Sequence, residues 1–567
     1  MDKNAKIGII GGAVALLIII IVAASTIIAK LTPSKEVMEL SNYYQVPKGE
    51  ALVILDDIKY AKYAKIIDGV YYMDLETITS KFNERFYFDS NENVLILTTP
   101  TEIIKAEVGS SEYLINKNKE SNAYTIVKRD VDEIYVALDF VARYSDMNVS
   151  TYQNPDRIMI QSIWRDYQFA TVKAATQIRT KASIKSEILK EMSKGEEVMI
   201  INNGGDLSDG FITVMSNDGV RGYIQKKAIS QVFDKTISST YKAPEYTSIK
   251  KDYTVNLVWH QVTNQEANNN LTSLLERTKG VTTISPTWFR VNSEEGTVSS
   301  LASESYVTSA HSMNLEVWGL IDNFDVNVDT HKVLSKTSSR EKLINEIIAQ
   351  AIKYNLDGIN IDFENLKLET GPHYIQFLRE LSVKCRSNQI ILSADSYVPA
   401  SYNKFYDYEE QGIILDYVII MGYDEHHSNS EEAGSVSSLG YFEGAINSTL
   451  AMVPKDKLIM GIPFYTRLWK EFTELGEFKL SSEALGMSEM SKVLEANGVT
   501  PIWNEEVGQY YAEYQKGDAT YKVWLEESES IDAKMKRIYD SKLAGVASWR
   551  LGFETTNIWD IILKYVN

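Results

Sequence analysis

Three polar side chains, two of them carboxyls that could do acid–base chemistry, alternate with apolar residues in the run DGINIDFE, residues 357–364. Successive side chains of a strand point to opposite faces, so Asn360, Asp362 and Glu364 share one face. Polar groups are costly in a packed core, but barrel enzymes place them at the carboxyl ends of their strands. Two carboxyls there predict general acid–base catalysis, in which repulsion from Asp362 raises the pKa of Glu364. The alternative is a solvent-facing strand of an antiparallel sheet.

Eight strand-like runs surround and include this motif, with helical stretches between them, from about 246 to 567. The runs are 255–259, 282–285, 315–320, 358–363, 390–394, 417–421, 458–462 and 545–549. Their number predicts an α/β fold, a (β/α)8 TIM barrel, which an isolated alternating strand would not explain. The stretch before the last run is too long for one helix, and alternation in 503–526 predicts an inserted hairpin there.

Four ordered motifs in this region resemble glycoside hydrolase family 18, the chitinase-like hydrolases. DGINIDFE is similar to the family signature DxxDxDxE, with Asn360 in the place of the middle aspartate. MGYD at 421–424, GIPFYTRLW at 461–469 and GVASWRLG at 545–552 are similar to the sixth, seventh and eighth strands. The Asn360 departure and the GIPFY run look closest to the bacterial branch that lyses spore cortex and cell wall.

The resemblance implies roles for individual residues. Glu364 is the expected general acid, and the acetamido carbonyl of the substrate itself attacks C1 in place of a protein nucleophile. Asp362 is expected to orient the acetamido N–H, and the Tyr423 hydroxyl to hold the acetyl oxygen. The expected substrate-binding residues are Asn360, Asp424, Tyr465, Arg467 and Trp549, with Trp549 as the apolar floor beneath the sugar.

The departure at Asn360 bears on the protonation of the site. An aspartate at that position could share a proton with Asp362, whereas a neutral amide can only donate or accept a hydrogen bond. We therefore expect an active enzyme with a shifted pH profile. No cofactor and no metal are expected, because the adjacent His426 and His427 would point opposite ways from a strand end.

Two smaller blocks precede the barrel. Residues 50–162 repeat a strand–helix–strand pattern and resemble the small α+β domain at the N-terminus of copper amine oxidases, but clustered metal ligands are missing, so copper binding is not implied. Residues 169–231 show the succession of short strand-like runs and turns that is typical of a small β-barrel, and they resemble bacterial SH3-like domains. Within this block, 202–210 predicts a hairpin loop rather than a calcium site, since its acidic spacing fits no EF-hand.

The chain begins with an apolar segment, residues 7–29, that contains no charge. A helix of that length covers roughly 34 Å, enough for a hydrocarbon core of about 30 Å. Residues 1–30 therefore predict a single-pass membrane anchor with the rest of the chain outside the cell. The alternative is a cleaved signal peptide, whose apolar region is usually shorter.

The net charge and cysteine count of the chain limit the kinds of partner and bond that we expect. The formal charge of −19 disfavours nucleic acid, and the single cysteine excludes an intrachain disulfide. We expect a membrane-anchored N-acetylglucosaminidase that acts on peptidoglycan. The alternatives are a hydrolase of chitin or its oligosaccharides, and a non-catalytic glycan-binding lectin on the same barrel. The presence of Glu364 argues against the lectin, because loss of this acid is the simplest way to abolish catalysis.

Overall fold

The computed structural model describes residues 3–201 and 210–566. The predicted hairpin loop at 202–210 therefore lies almost wholly outside the described residues. The chain divides into two compact units. The first contains Met1–Phe86, Ala106–Tyr113 and Glu120–Ala243, and the second contains Tyr87–Lys105, Leu114–Lys119 and Pro244–Asn567.

The chain up to Gln161 contains one long apolar helix, three short helices and twelve strands. They are α1 (Lys3–Leu31), α2 (Leu40–Tyr44), β1 (Glu50–Leu55), β2 (Ile58–Ile67), β3 (Val70–Asp74), α3 (Leu75–Lys81), β4 (Phe86–Asp89), β5 (Val94–Thr98), β6 (Ile103–Glu107), β7 (Glu112–Ile115), β8 (Asn118–Ser121), β9 (Val127–Asp130), β10 (Glu133–Ala137), α4 (Leu138–Arg143), β11 (Asn148–Tyr152) and β12 (Arg157–Gln161). In the part of the chain that is described, α1 is the one helix long and apolar enough to cross a membrane, over Ile7–Leu31.

Two sheets form from these strands, one of seven strands in the order β11-β12-β1-β2-β3-β10-β9 and one of five in the order β4 to β8. Both predicted strand-to-helix transitions are present, at β3–α3 and β10–α4. Asp74 ends β3 and caps α3 by accepting a 3.0 Å hydrogen bond from the Thr77 amide.

Seven further strands among the described residues make a small antiparallel β domain. They are β13 (Arg165–Thr171), β14 (Thr176–Arg179), β15 (Ile188–Met192), β16 (Glu197–Ile200), β17 (Phe211–Ser216), β18 (Arg221–Gln225) and β19 (Phe233–Ile237). Their order in the sheet is β15-β14-β18-β17-β16-β13-β19. A tight turn joins β17 to β18, and Gly219 supplies its positive φ of 75°.

The strands after residue 250 build the barrel and an insertion. They are β20 (Val255–His260), β21 (Thr283–Val291), β22 (Val298–Ser300), β23 (Glu316–Asp322), β24 (Gly358–Asp362), β25 (Ile391–Ser396), β26 (Tyr417–Met421), β27 (Leu458–Pro463), β28 (Tyr465–Glu474), β29 (Glu477–Gly486), β30 (Ile502–Asn504), β31 (Gln509–Lys516), β32 (Ala519–Leu525) and β33 (Gly545–Trp549).

Helices alternate with the barrel strands. They are α5 (Leu271–Leu275), α6 (Glu304–Ser312), α7 (Thr330–Ser335), α8 (Thr337–Lys353), α9 (Gly371–Ser387), α10 (Tyr408–Ile414), α11 (Leu439–Leu450), α12 (Met487–Ala496), α13 (Ser528–Ser541) and α14 (Asn557–Leu563). Short 3-10 segments cover Lys226–Ala228, Gln265–Asn270, Leu368–Thr370 and Lys404–Tyr406.

The barrel closes because β20 pairs in parallel with both β21 and β33. Its eight parallel strands are β20, β21, β23, β24, β25, β26, β27 and β33. Each overlaps one of the eight predicted runs, in the same order, so the predicted TIM barrel is confirmed.

The insertion before the last barrel strand is larger than the predicted hairpin. The hairpin is present as β31 and β32, but it belongs to a five-stranded sheet in the order β29-β28-β32-β31-β30. The run GIPFYTRLW contains two strands, because β27 ends at Pro463 and β28 begins at Tyr465. Apolar patterning continues across that break, so the sequence alone does not reveal it.

Candidate active site

Strand β24 carries the acidic motif, and its alternation separates two environments. Ile359, Ile361 and Phe363 are fully buried and point toward the surrounding helices, where Phe363 stacks on Phe377 of α9 with ring centroids 5.5 Å apart. The opposite face points into the barrel and carries Asn360 and Asp362, with Glu364 two residues past the strand end.

Three aspartates lie at one level on three neighbouring strands. Asp322, the last residue of β23, is the register partner of Asp362. On the other side, Ile361 of β24 pairs with Ala394 of β25, so the next residues in register are Asp362 and Asp395. All three side chains are buried.

Asp322 is neutralised by an arginine. Arg290 on β21 donates two hydrogen bonds to the Asp322 carboxylate, from Nε at 2.6 Å and from Nη2 at 2.9 Å. This fork-to-fork pair raises the pKa of the Arg290 guanidinium.

Asp362 stands between the other two aspartates. It is 7% exposed, and its Oδ1 has no hydrogen-bond partner among the described residues. Burial raises the pKa of the Asp362 carboxyl well above its usual range, and repulsion from Asp395, Glu364 and Asp322 raises it further.

Asn360 and Asp395 belong to one buried network. The Asn360 Oδ1 accepts hydrogen bonds from Trp259 Nε1 at 3.0 Å and from Ser285 Oγ at 3.1 Å. Its Nδ2 donates to Ser393 Oγ at 3.2 Å and to Asp395 Oδ1 at 2.8 Å. Burial raises the pKa of Asp395 well above its usual range, against the opposing effect of the Asn360 hydrogen bond.

Glu364 stands above this layer, half-buried at the open end of the barrel. The Tyr397 hydroxyl donates a 2.7 Å hydrogen bond to its Oε2. Asn323 fixes its backbone, because the Glu364 N–H donates to Asn323 Oδ1 at 2.9 Å and Asn323 Nδ2 donates to the Glu364 carbonyl at 3.0 Å. Burial raises the pKa of Glu364, and the Tyr397 hydrogen bond partly offsets that rise.

Aromatic rings form the walls around the acid. The rings of Trp259 and Trp549 lie 6.0 Å apart, and those of Tyr423 and Tyr465 meet edge to face at 6.2 Å. The Tyr465 hydroxyl donates a 2.6 Å hydrogen bond to Asp424 Oδ1. These residues enclose a cavity of about 220 Å³ together with Asp362, Glu364, Asp395 and Tyr397.

A second cavity of about 440 Å³ adjoins the first and shares four of its lining residues, Leu320, Phe324, Asp362 and Trp549. The part of the second cavity that the first does not share is more polar and includes Arg290 and Ser300. Because they share four lining residues, the two cavities form one continuous cleft.

Six of the eight predicted site residues lie around the first cavity, namely Glu364, Asp362, Tyr423, Asp424, Tyr465 and Trp549. The other two do not line it. Asn360 is fully buried beneath the cavity, with four protein partners for its amide group. Arg467 lies in β28 and donates to Ser482 Oγ of β29 at 3.1 Å, because β28 leaves the barrel for the insertion.

Asp322, Asp395, Tyr397 and Trp259 were not predicted. Alternation within β25 would have placed Asp395 on the inward face with Ser393, but its relation to Asp362 depends on the register between strands. The histidines after β26 lie in a loop, where His426 Nδ1 bonds to the Ser435 carbonyl and His427 Nδ1 accepts from the Asn429 amide.

The sequence pattern of the family described as "Glycosyl hydrolases family 18" matches residues 258–554, just over half of the 567-residue chain. The chain belongs to glycosyl hydrolase family 18. The predicted class, a glycoside hydrolase, is therefore confirmed for this family 18 protein. A second match, to the copper amine oxidase N-terminal domain, covers residues 54–160 and agrees with the resemblance seen in the sequence.

Named relatives agree with this membership. The family 18 chain is 27% identical over 273 residues to an uncharacterized glycosylase, YvbX, of Bacillus subtilis, covering 46% of this chain and 77% of the relative. It is 24% identical over 253 residues to a cortical fragment-lytic enzyme of Bacillus anthracis, covering 43% of this chain and 58% of the relative. The crystal structure of the Bacillus cereus spore cortex-lytic enzyme SleL shares the fold, with a TM-score of 0.50, 20% identity and coverage of 58% and 78%.

Proposed function

We propose that this protein is a membrane-anchored glycosidase that cleaves the β-1,4 bond after N-acetylglucosamine in peptidoglycan, with Glu364 as the general acid. The observation that carries the proposal is the position of Glu364 at the mouth of an aromatic cleft. There its pKa is raised, and Tyr397 holds its carboxyl at 2.7 Å. Breaking a glycosidic bond requires such a group, protonated near neutral pH, to give a proton to the leaving oxygen.

In the proposed first step, the acetamido carbonyl oxygen of the substrate forms a bond to C1 while the bond from C1 to the leaving oxygen breaks. The proton of Glu364 passes to that oxygen. The product is an oxazolinium ion in which the nitrogen keeps its hydrogen. Water then attacks C1, and Glu364, now ionised, takes a proton from it, so that the anomeric configuration is retained.

The buried carboxyl of Asp362 supports this use of the acetamido group. Its Oδ1 has no partner among the described residues, although it lies at the wall of the cavity. An unsatisfied buried acceptor carries a free-energy penalty of about 1–3 kcal/mol, which an acetamido N–H would relieve. We assign Asp362 that role, and Tyr423 the role of holding the acetyl oxygen from the same cavity.

The aromatic walls suit a pyranose ring, whose apolar faces pack on indole and phenol rings. We assign Trp549 to the floor beneath the reacting sugar, and Tyr465 with Asp424 to its hydroxyl groups. Asn360 and Arg467 support the site without contacting the sugar, because neither lines the cavity.

A cell-wall polymer is the proposed substrate for two reasons. The B. anthracis relative is named for lysis of cortical fragments. In addition, the apolar residues of α1 are more than half exposed, as expected for a helix that requires lipid as its surroundings. An anchored enzyme with its barrel outside the cell reaches the wall rather than soluble chitin oligomers.

Digestion of purified peptidoglycan and of chitin hexamer by the full-length protein in detergent micelles tests the proposal. Mass spectrometry should detect muropeptide-bearing fragments with N-acetylglucosamine at the reducing end. The Glu364→Gln variant is the matched control and should release none. Cleavage of the chitin hexamer alone would favour the chitinase alternative, and binding without cleavage of either would favour the lectin.

A further inference from the structure

Asp395 has no role in the mechanism above, although it lies in the same layer as Asp362. The two occupy neighbouring register positions on β24 and β25, and both line the cavity. Asp395 is 3% exposed, and its hydrogen-bond donors among the described residues are the Asn360 amide and the Trp259 indole rather than any cation.

We propose that Asp395 is the carboxyl that shares a proton with Asp362, and that Asn360 and Asp395 together replace the middle aspartate of the acidic motif. In this chain the carboxyl lies on β25, as Asp395, and an amide, Asn360, occupies the position on β24. This inference rests on the proposed function, because it names the residue that sets the charge of Asp362, which orients the acetamido N–H.

The hydrogen bonds around Asn360 fix the direction of its amide. The indole Nε1 of Trp259 can only donate, so the group that it contacts at 3.0 Å must be the carbonyl oxygen of Asn360. The amide nitrogen is therefore turned toward β25, where it donates to Asp395 at 2.8 Å.

A carboxylate at position 360 would not fit beside Asp395. It would accept from Trp259 and Ser285 as the amide does, but its second oxygen would face Asp395 without the N–H that donates to Asp395 at 2.8 Å in this structure. The structure therefore accommodates one carboxyl and one amide across these two positions.

The groups that face Asp395 explain why a proton is retained. Asp362 and Glu364 face it from β24, and the phenols of Tyr374 and Tyr423 face it from α9 and the end of β26. Two ionised carboxylates at neighbouring inward positions repel strongly in a buried site, so the pair holds one proton. With one proton between them the two carboxyls carry a single negative charge, which serves as an acceptor for the acetamido N–H and as a counter-charge to the oxazolinium ion. The proton stays within the pair, so the overall reaction is unchanged.

The test is an exchange of the two side chains, measured as kcat, KM and the pH profile of kcat/KM for the full-length enzyme on a wall-derived disaccharide repeat. Asp395→Asn should lower kcat by about 10- to 100-fold with little change in KM. The alkaline limb of its pH profile should move to lower pH, because no carboxyl is left at position 395 to ionise at high pH and oppose the ionisation of Glu364. Asn360→Asp should also be impaired, through repulsion between two carboxylates.

The double variant Asn360→Asp/Asp395→Asn restores one carboxyl and one amide in exchanged positions. It should be at least about tenfold more active than either single variant, and its pH profile should return toward the parent. Ser285→Ala removes one hydrogen bond from Asn360 without changing any charge, and its pH profile should match the parent. Absence of rescue, or a parental profile in Asp395→Asn, would overturn the proposal.

An infrared titration decides the matter even where a folded variant is inactive. Near neutral pH the C=O stretch of protonated carboxyls should be weaker in Asp395→Asn than in the parent by the contribution of one carboxyl, with the Glu364 contribution retained. An undiminished signal in a folded Asp395→Asn would also contradict the proposal. Failure of the proposed function would look different, since the parent itself would then leave N-acetylglucosamine polymers uncleaved while the infrared signal was still present.

Discussion

The Tyr397 hydroxyl donates a hydrogen bond of 2.7 Å to the Glu364 carboxyl, from the residue that follows the end of β25. This bond stabilises the ionised form of Glu364 and limits the rise in its pKa that burial causes. The acid is thus balanced between a buried environment that keeps it protonated and a donor that favours release of the proton.

Removal of that hydroxyl should move the alkaline limb of the activity profile. In Tyr397→Phe the pKa of Glu364 should rise, so the enzyme should stay active to a higher pH than the parent. The measurement is kcat/KM from about pH 4 to 10. A limb that moves to lower pH would contradict the assignment of Glu364 as the acid that must be protonated.

Substitution of the acid itself should abolish turnover. Glu364→Gln keeps the size and hydrogen-bonding shape of the side chain but cannot donate the proton, so kcat should fall by about 10²- to 10⁴-fold. Folding and glycan binding should be retained, as measured by thermal unfolding and isothermal calorimetry. Glu409→Gln, at an exposed position of α10, is the matched control and should behave as the parent. Activity of Glu364→Gln within about threefold of the parent would exclude the assigned role.

The raised pKa of Asp362 predicts a pH-dependent effect on stability. Because the folded-state pKa lies above the unfolded one, the carboxyl contributes fully below its unfolded pKa of about 4, and that contribution is lost as pH rises through the folded value. Asp362→Asn removes the titrating group. Its melting temperature should therefore exceed that of the parent by about 2 °C or more near pH 8, with a smaller difference near pH 4.

The matched control for this effect is Asp518→Asn in the exposed turn between β31 and β32. It should change the melting temperature by the same small amount at both pH values. A gain for Asp362→Asn that is independent of pH would show that ionisation of this carboxyl is not what destabilises the folded state.

Attack by the acetamido group of the substrate can be tested by changing that group. A polymer whose reacting sugar carries a free amine has no acetyl oxygen to attack C1 and should not be cleaved. The product of the acetylated polymer should keep its anomeric configuration in NMR spectra recorded early in the reaction. Tyr423→Phe should slow the reaction, and Asp362→Asn should slow it more because it also alters the charge around Glu364. An inverted product, or equal cleavage of the free-amine polymer, would require a different second catalytic group.

The helix α1 predicts a membrane topology. If Ile7–Leu31 is an uncleaved anchor, the protein should remain in the membrane fraction after a high-salt wash. Protease added to cells without their wall should digest the chain beyond Lys30. A soluble form that begins near Ser25 would instead identify the segment as a cleaved signal peptide.

The sequence by itself determined the barrel and most of its catalytic face. Alternation along DGINIDFE placed Asp362 and Glu364 on one inward face, and the eight apolar runs predicted the eight strands in order. These features depend on neighbours within one strand, where a period of two fixes the direction of every side chain.

The tertiary structure alone decided which strands meet, and with them the protonation partners. Asp322, Asp362 and Asp395 are 73 residues apart from first to last in the chain, yet closure and register of the barrel bring them to one level. The same closure buries Asn360 beneath the cleft, and the insertion carries Arg467 away from it. Such relations could not be predicted locally, because the charge a carboxyl experiences depends on its neighbours in space rather than on its neighbours in the chain.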